Sequence, residues 1–285
     1  MTASSHVYPP PPIDVTGLFS AERHALLQLL SDLTDDQWAT PTVCPGWTVK
    51  DVALHVLGVD LGNLSVQRDG FIDACTAGPR GGEQAALVAF VARLNETWVD
   101  AARRLSPRLL CELLAVTGEM IVAYVGTLDL LAMGQPVSWV GPDPAPVWLH
   151  VAREYTERWV HQQQIRDALA LPGFMEAEQV APVLAAFVHA LPHTLRHSTA
   201  APGTRVRLAI SGPAGGSWIT LRTNDRWALG QDDGGTADTS VMVDQDLAWR
   251  LFTKGVTPSD ALPHVRIEGN HSLGAAVLDT VSIIA

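Results

Sequence analysis

The stretch Cys44–His55, CPGWTVKDVALH, combines a turn, a helix start and a histidine within twelve residues. Pro45-Gly46 is typical of a turn. Thr48 followed three residues later by Asp51 predicts a capped helix N-terminus. His55 comes two turns into that helix, at the border of its apolar stripe. The stretch therefore predicts a helix with a fixed entrance and an imidazole that faces other helices or a cleft between them, although an ordinary boundary histidine would fit the same pattern.

Apolar residues recur at three and four positions from about residue 16 to 197, which predicts a helical bundle. Turn and breaker residues separate its helix candidates, at residues 16–33, 48–68, 84–103, 106–133, 146–169 and 177–197. After residue 203 the pattern changes to strand-like alternation, as in Val206, Leu208 and Ile210. We therefore predict an α+β chain of two domains: a leader at residues 1–13 that is disordered, a helical domain at 14–200, and a small α+β domain at 204–285.

Composition and charge narrow the function classes. The 285 residues are 47% hydrophobic and 17% charged, which is typical of a globular protein, and the formal net charge is −11. A net negative chain without a basic cluster argues against nucleic acid and anionic membrane surfaces as partners. Three cysteines without CxxC spacing argue against a disulfide scaffold. The start MTASSHVYPPPP lacks a secretory pattern, so we expect a cytoplasmic protein, and the apolar run Leu113–Met133 is interpreted as a buried helix.

The helix candidate at residues 146–169 carries a stripe of possible metal ligands. His150, Glu154, Glu157 and His161 are spaced by four, three and four residues, so they share one narrow face. An amphipathic helix with its charges in water would look the same. However, a Glu and a His four residues apart can hold one metal ion, and His55 from a facing helix would complete a set of three ligands with room for water or substrate.

Two other features are weaker candidates for a functional site. His189, His193 and His197 also recur every four residues, but Pro192 interrupts that helix, and a solvated face or a packing edge would explain them equally well. Cys44 could be a nucleophile in principle, yet the Pro45-Gly46 turn already explains its place and no base lies at a helical spacing from it.

Several motifs together carry a family resemblance, listed along the chain as Asp35–Trp38, Cys44–Val49 with Asp51 and His55, and Glu157–His161 with Ile165-Arg166. The combination resembles the mycothiol-dependent maleylpyruvate isomerase family of the DinB-like metalloenzyme superfamily, over about residues 14–197. The resemblance implies a four-helix-bundle core that binds a divalent metal, most often zinc, through His55, Glu157 and His161. It also implies that the C-terminal part is similar to sterol-carrier-type domains and that Arg266 reaches the active site.

One position departs from the family pattern, because many relatives carry an acidic residue where Gln164 stands. This departure bears on the groups that support the metal ligands. The alternative interpretation of Arg266 is a strand residue that forms a surface salt bridge with Glu268 or another carboxylate.

These observations lead to one hypothesis with two alternatives. The first is a zinc enzyme that activates a low-molecular-weight thiol such as mycothiol for addition to an electrophilic small molecule, as an isomerase or an S-transferase. Arg266 would steady developing negative charge, and His150 and Glu154 would assist as outer groups. The alternatives are a metal-dependent hydrolase with Glu154 as base, and a non-catalytic carrier of an apolar ligand.

Overall fold

The computed structural model describes residues 7–73, 78 and 84–282, so Cys75 and the first six residues of the predicted leader lie outside it. Contacts divide the described residues into two compact units. We call the first the helical unit, formed by residues 14–130 and 153–174. The second, called the mixed unit, is formed by residues 7–13, 131–152 and 175–282. The mixed α and β composition confirms the predicted fold class, whereas the domain boundary near residues 200–204 stays a prediction.

The helical unit contains five complete helices and most of a sixth. They are α1 (Phe19–Ser31), α2 (Asp35–Trp38), α3 (Val49–Gly62), α4 (Gln84–Ala102), α5 (Pro107–Val125) and α6 (Val147–Ala168), the last from Arg153 onward. A π-helical segment, Asn63–Arg68, directly continues α3. The candidate at residues 48–68 therefore corresponds to one continuous helical stretch.

The entrance of α3 has the predicted geometry. Gly46 has a φ of 78°, a left-handed conformation that glycine adopts without a Cβ penalty. The Thr48 side chain accepts from the Asp51 backbone N–H, and the Asp51 side chain accepts from the Thr48 backbone N–H at 3.0 Å. This reciprocal capping box contributes on the order of 1 kcal/mol and fixes the residue at which the helix begins. It therefore also fixes the side of α3 from which His55 projects.

Apolar side chains from α1, α3, α5 and the end of α6 build the core of the helical unit. The fully buried members include Leu26, Val49, Val52, Leu54, Leu110, Leu114 and Ile165. On α6 the apolar face opposite the predicted ligand stripe is buried as well, with Tyr155 and Trp159 at 0% exposure. Packing of this face fixes the direction in which the other face of α6 points.

The mixed unit has a five-stranded sheet. Its strands are β3 (Arg205–Ser211), β4 (Gly216–Arg222), β5 (Trp227–Gln231), β6 (Thr239–Asp244) and β7 (Arg266–Gly269), and their spatial order is β5-β4-β3-β6-β7. β3 and β6 pair in parallel, with Leu208 opposite Val241, while the other neighbours are antiparallel. The predicted alternation along β3 is confirmed, since Val206, Leu208 and Ile210 are buried.

Helices and a short hairpin complete the mixed unit. The helices are α7 (Ala177–Phe187), α8 (Leu191–Thr194), α9 (Gln245–Phe252), α10 (Pro258–Ala261) and α11 (His271–Leu278), and the hairpin pairs β1 (Met133–Pro136) with β2 (Pro144–Pro146). Phe187 of α7 and Phe252 of α9 meet edge to face at 6.2 Å. α9 and α11 are short helices of 8 residues each.

Three sequence expectations differ from the structure. The helix predicted at residues 106–133 ends at Val125, because the chain then turns and enters the β1 hairpin. The helix predicted at 177–197 breaks into short α and 3₁₀ pieces around Pro192, which lacks a backbone N–H. Residues 7–13 belong to the mixed unit, where Tyr8 O accepts from Gln231 N at 2.8 Å. Within the described residues, no helix has the length and apolar character that a membrane crossing requires.

Candidate metal centre

Three side chains from two helices of the helical unit converge on one point. His55 Nε2 and His161 Nε2 each lie 3.1 Å from the same Glu157 oxygen, Oε1. The three ligand atoms lie within 4.8 Å of one another, and no other group of three His, Cys, Asp or Glu residues in the described part of the chain comes together in this way. The structure thus brings together the three residues that the sequence predicted as metal ligands.

The donor set and its spacing fit a divalent cation. Two imidazole nitrogens and a carboxylate oxygen are ligands that zinc accepts. Donors on one tetrahedral zinc stand about 3.4 Å apart when bond lengths are near 2.1 Å, so the two distances of 3.1 Å need only a small adjustment to share an ion. His55 is 5% exposed, whereas Glu157 is 34% exposed. The three side chains are therefore shielded from solvent at His55 and accessible to solvent at Glu157.

The pKa values of Glu157, His55 and His161 are each shifted by a different balance of causes. Burial raises the pKa of Glu157, but hydrogen bonds from His161 and His55 outweigh burial and hold that pKa well below its ordinary value. Burial lowers the pKa of His55, which favours its neutral form. Burial also lowers the pKa of His161, but its contacts with Cys44 and Glu157 outweigh that effect and raise the pKa. Without a cation, the Glu157 carboxylate thus retains a proton on His161, and a cation at this point would replace that proton.

Further side chains hold the two imidazoles in place. His161 Nδ1 lies 2.7 Å from Gln164 Oε1, and Cys44 Sγ lies 3.2 Å from the same oxygen. The indole ring of Trp47 packs against the His55 ring at 5.1 Å. The contact of Cys44 is a feature that sequence reasoning missed, because its partner lies 120 positions away along the chain. The turn before α3 thus also places Cys44 against α6, the helix that carries Glu157 and His161.

A buried ionic cluster ties the ligand helices together. Asp60 of α3 accepts from Arg158 of α6 at 2.8 Å, from Arg23 of α1 at 2.7 Å and from Thr117 of α5 at 2.7 Å. The Asp60 and Arg158 side chains are 0% and 1% exposed. Burial raises the pKa of Asp60, but the guanidinium groups of Arg158 and Arg23 outweigh it and keep the carboxyl ionised. The cluster joins α3 just after His55 to α6 at the residue that follows Glu157.

The three predicted outer residues occupy different surroundings. Glu154 is on α6, and its carboxylate accepts from Arg158 at 3.1 Å and also from Arg153 and Asn63. His150 and Arg266 belong to the mixed unit. There His150 Nε2 donates to the Gln135 carbonyl at 2.6 Å. Arg266 is 71% exposed and forms an ion pair with Glu268, which is the surface interaction considered from sequence.

The second histidine series has a packing role in the mixed unit. His189 meets the Trp148 ring edge to face at 5.3 Å, and burial lowers its pKa to about 4. Among described residues, His189, His193 and His197 do not form a group with metal-ligand spacing. For His189, the structure therefore supports the interpretation as a packing edge.

The fold and the site define a protein of two compact units, one of which carries a candidate metal centre, and comparison with known sequences places the chain in a family. Residues 19–166 match the family described as mycothiol maleylpyruvate isomerase N-terminal domain, and the chain belongs to this family.

Two uncharacterized proteins of Mycobacterium tuberculosis, from strains CDC 1551 / Oshkosh and ATCC 25618 / H37Rv, are each 30% identical to this chain over 156 residues. The match covers 53% of this chain and 54% of each relative, so the chain spans about half the length of these relatives. A crystal structure of a mutant mycothiol-dependent maleylpyruvate isomerase aligns over 85% of this chain and 88% of its own, with 12% identity and a TM-score of 0.48. Family membership therefore rests on the sequence match.

Proposed function

We propose that this protein is a cytoplasmic enzyme that uses a low-molecular-weight thiol, such as mycothiol, on an electrophilic small molecule, and that His55, Glu157 and His161 hold its divalent metal, zinc. The observation that carries the proposal is the convergence of these three ligand atoms within 4.8 Å. Family membership supports the choice of a thiol such as mycothiol and of a small-molecule electrophile as substrates. The description of the family includes maleylpyruvate, which makes this compound the first substrate to test.

The ligand arrangement supports chemistry at the site. Three protein ligands leave at least one position for an exogenous group, unlike the four-ligand sites that zinc uses for structure. A cation bound there lowers the pKa of a coordinating thiol, whose ordinary value is near ~8.5. The partial exposure of Glu157 provides the side from which the thiol and substrate would approach.

The proposed reaction begins with addition of thiolate sulfur to one carbon of a conjugated carbon–carbon double bond. The electron pair of that bond moves toward the conjugated carbonyl oxygen, and the resulting single bond rotates. Expulsion of the thiolate then restores the double bond with the other geometry, so no atom is gained or lost. If the thiol instead stays bound and the other carbon of the former double bond takes a proton, the product is an S-conjugate. We keep Arg266 as the group that steadies the developing negative charge, and His150 and Glu154 as outer groups.

Metal content tests the site directly. We expect about one zinc per chain by elemental analysis in the wild type, and a loss of most of it in His161→Ala. His24→Ala is the matched control, because His24 is an exposed histidine in the same unit. Equal zinc content in the wild type and His161→Ala would remove the basis of the ligand assignment.

Turnover separates the reaction classes. Purified protein is assayed with maleylpyruvate in the presence and absence of mycothiol. Turnover that needs the thiol supports the proposal, and turnover that is independent of it supports the hydrolase alternative. A copurified apolar molecule, without turnover in either assay, would favour the carrier alternative.

A further inference from the structure

An outer layer of contacts stands behind His161 and points to a positioning role for two residues without charge. Gln164 follows His161 by three positions on α6, so the two side chains share one face of the helix. The 2.7 Å contact between His161 Nδ1 and Gln164 Oε1 is short for a nitrogen–oxygen hydrogen bond. Cys44 Sγ, from the turn before α3, donates to the same oxygen at 3.2 Å.

The roles of these atoms follow from the ligand geometry. His161 presents Nε2 to the point shared with Glu157, so this nitrogen must keep its lone pair for an ion and the ring proton must lie on Nδ1. An Nδ1–H group needs an acceptor, which requires Gln164 to present its amide oxygen. The Cys44 thiol is a second donor to that oxygen and holds the amide in this orientation. The described contacts are therefore consistent in every donor and acceptor from Cys44 to the candidate ion.

We propose that Gln164 is a positioning residue that fixes the tautomer and ring orientation of His161, and that Cys44 holds Gln164 in that role. This inference rests on the proposed metal site. The neutral amide provides an acceptor without a second carboxylate near Glu157, so the charge around the ion comes from Glu157 alone among these contacting groups. Groups that orient a ligating histidine in this way typically change metal affinity by about 10- to 100-fold when they are removed.

Zinc affinity of the purified full-length protein, measured by competition with a chelating dye, tests the inference. Gln164→Leu keeps the approximate size but removes the acceptor, and we expect zinc affinity to fall by about 10- to 100-fold. Gln164→Glu restores an acceptor for Nδ1–H, and we expect affinity to return at least to the wild-type level. Cys44→Ala should give a smaller loss, with Cys111→Ala, the other described free cysteine, as its control.

Gln163→Leu is the matched control for a lost buried amide. Gln163 bonds the Phe174 backbone rather than a proposed ligand, so this variant should lose thermal stability and keep wild-type zinc affinity. The ligand-field absorption of Co²⁺-substituted protein gives a second readout, which should change in Gln164→Leu and stay unchanged in Gln163→Leu.

The outcomes distinguish this inference from the metal site itself. Wild-type affinity in Gln164→Leu, or equally weak binding in Gln164→Leu and Gln164→Glu, overturns the positioning role while the His161→Ala result still supports the site. A wild type that binds no zinc overturns both. If Gln164→Leu does not fold, Gln164→Glu and Cys44→Ala decide the question: binding in Gln164→Glu far below wild type, or wild-type binding in Cys44→Ala, contradicts the respective role.

Discussion

Replacement of Asp60 by Asn tests whether the buried ionic cluster holds the helical unit together. Asp60 Oδ1 accepts from Arg158 at 2.8 Å and Oδ2 from Arg23 at 2.7 Å, and both guanidinium groups are nearly inaccessible to water. Asn removes the negative charge and places an amide donor against a guanidinium donor. Leaving buried charges without their partner costs about 3 to 5 kcal/mol. We therefore expect Asp60→Asn to lower the free energy of unfolding of the helical unit by about that amount.

Urea titration followed by far-ultraviolet circular dichroism measures the loss. With a urea dependence of about 2 to 3 kcal/mol per M, the midpoint should fall by about 1 to 2.5 M. Hydrogen exchange of α3 and α6 peptides reports the same unit separately from the mixed unit, and protection in both helices should decrease.

A matched surface pair provides the control. Glu112→Gln on α5 breaks an ion pair with Arg108 in which both side chains are mostly exposed, so it should leave the midpoint nearly unchanged. If Asp60→Asn shifts the midpoint no more than Glu112→Gln does, the cluster does not stabilise the unit and the argument from burial is refuted.

Two predictions concern the mixed unit. Hydrogen bonds from Arg207, Ser217 and the Gly234 backbone lower the pKa of Asp232 to about 2, below its ordinary value near 3.8. The resulting stabilisation is present above about pH 4 and is lost as pH falls through about 2. Asp232→Asn should therefore cost about 1 to 2 kcal/mol in urea titrations at pH 7, allowing for solvent screening, and the difference from wild type should shrink toward pH 2; a constant difference would contradict it. Arg266→Ala should lower kcat/KM for the thiol-dependent reaction and leave zinc content and melting temperature unchanged, whereas unaltered turnover would identify Arg266 as a surface residue paired with Glu268.

Local features of the site could be predicted from sequence because their partners are close along the chain. The capping box of Thr48 and Asp51 spans three residues, and Glu157 and His161 are one helical turn apart, so helix geometry alone brings each pair together. His55 lies 102 positions from Glu157, and periodicity could not pair them. Ligand chemistry suggested that pairing and the family resemblance implied it, and the structure brings the three side chains together.

Features that depend on tertiary packing were beyond the sequence pattern. Polar positions on an amphipathic helix are normally interpreted as solvated, yet Arg158 is 1% exposed because Asp60 neutralises it inside the unit. The stripe from His150 to His161 is one face of α6, but its members have different contacts, because His150 belongs to the mixed unit and His161 to the helical unit. The parallel pairing of β3 with β6 joins strands that are separated by two others along the chain, and no local signal specifies it.

The candidate ligand set therefore has two parts that the protein positions by different means. Glu157 and His161 are held at the correct spacing by one turn of α6, so their separation changes little as long as that helix forms. The distance from His55 to them depends on how α3 packs against α6, since these ligands lie on different helices. Asp60 and Arg158 fix that packing from inside the unit, and Thr48 with Asp51 fixes where α3 begins. A change at Asp60 should consequently affect zinc affinity as well as stability, because the third ligand is the one whose place is set by tertiary contacts.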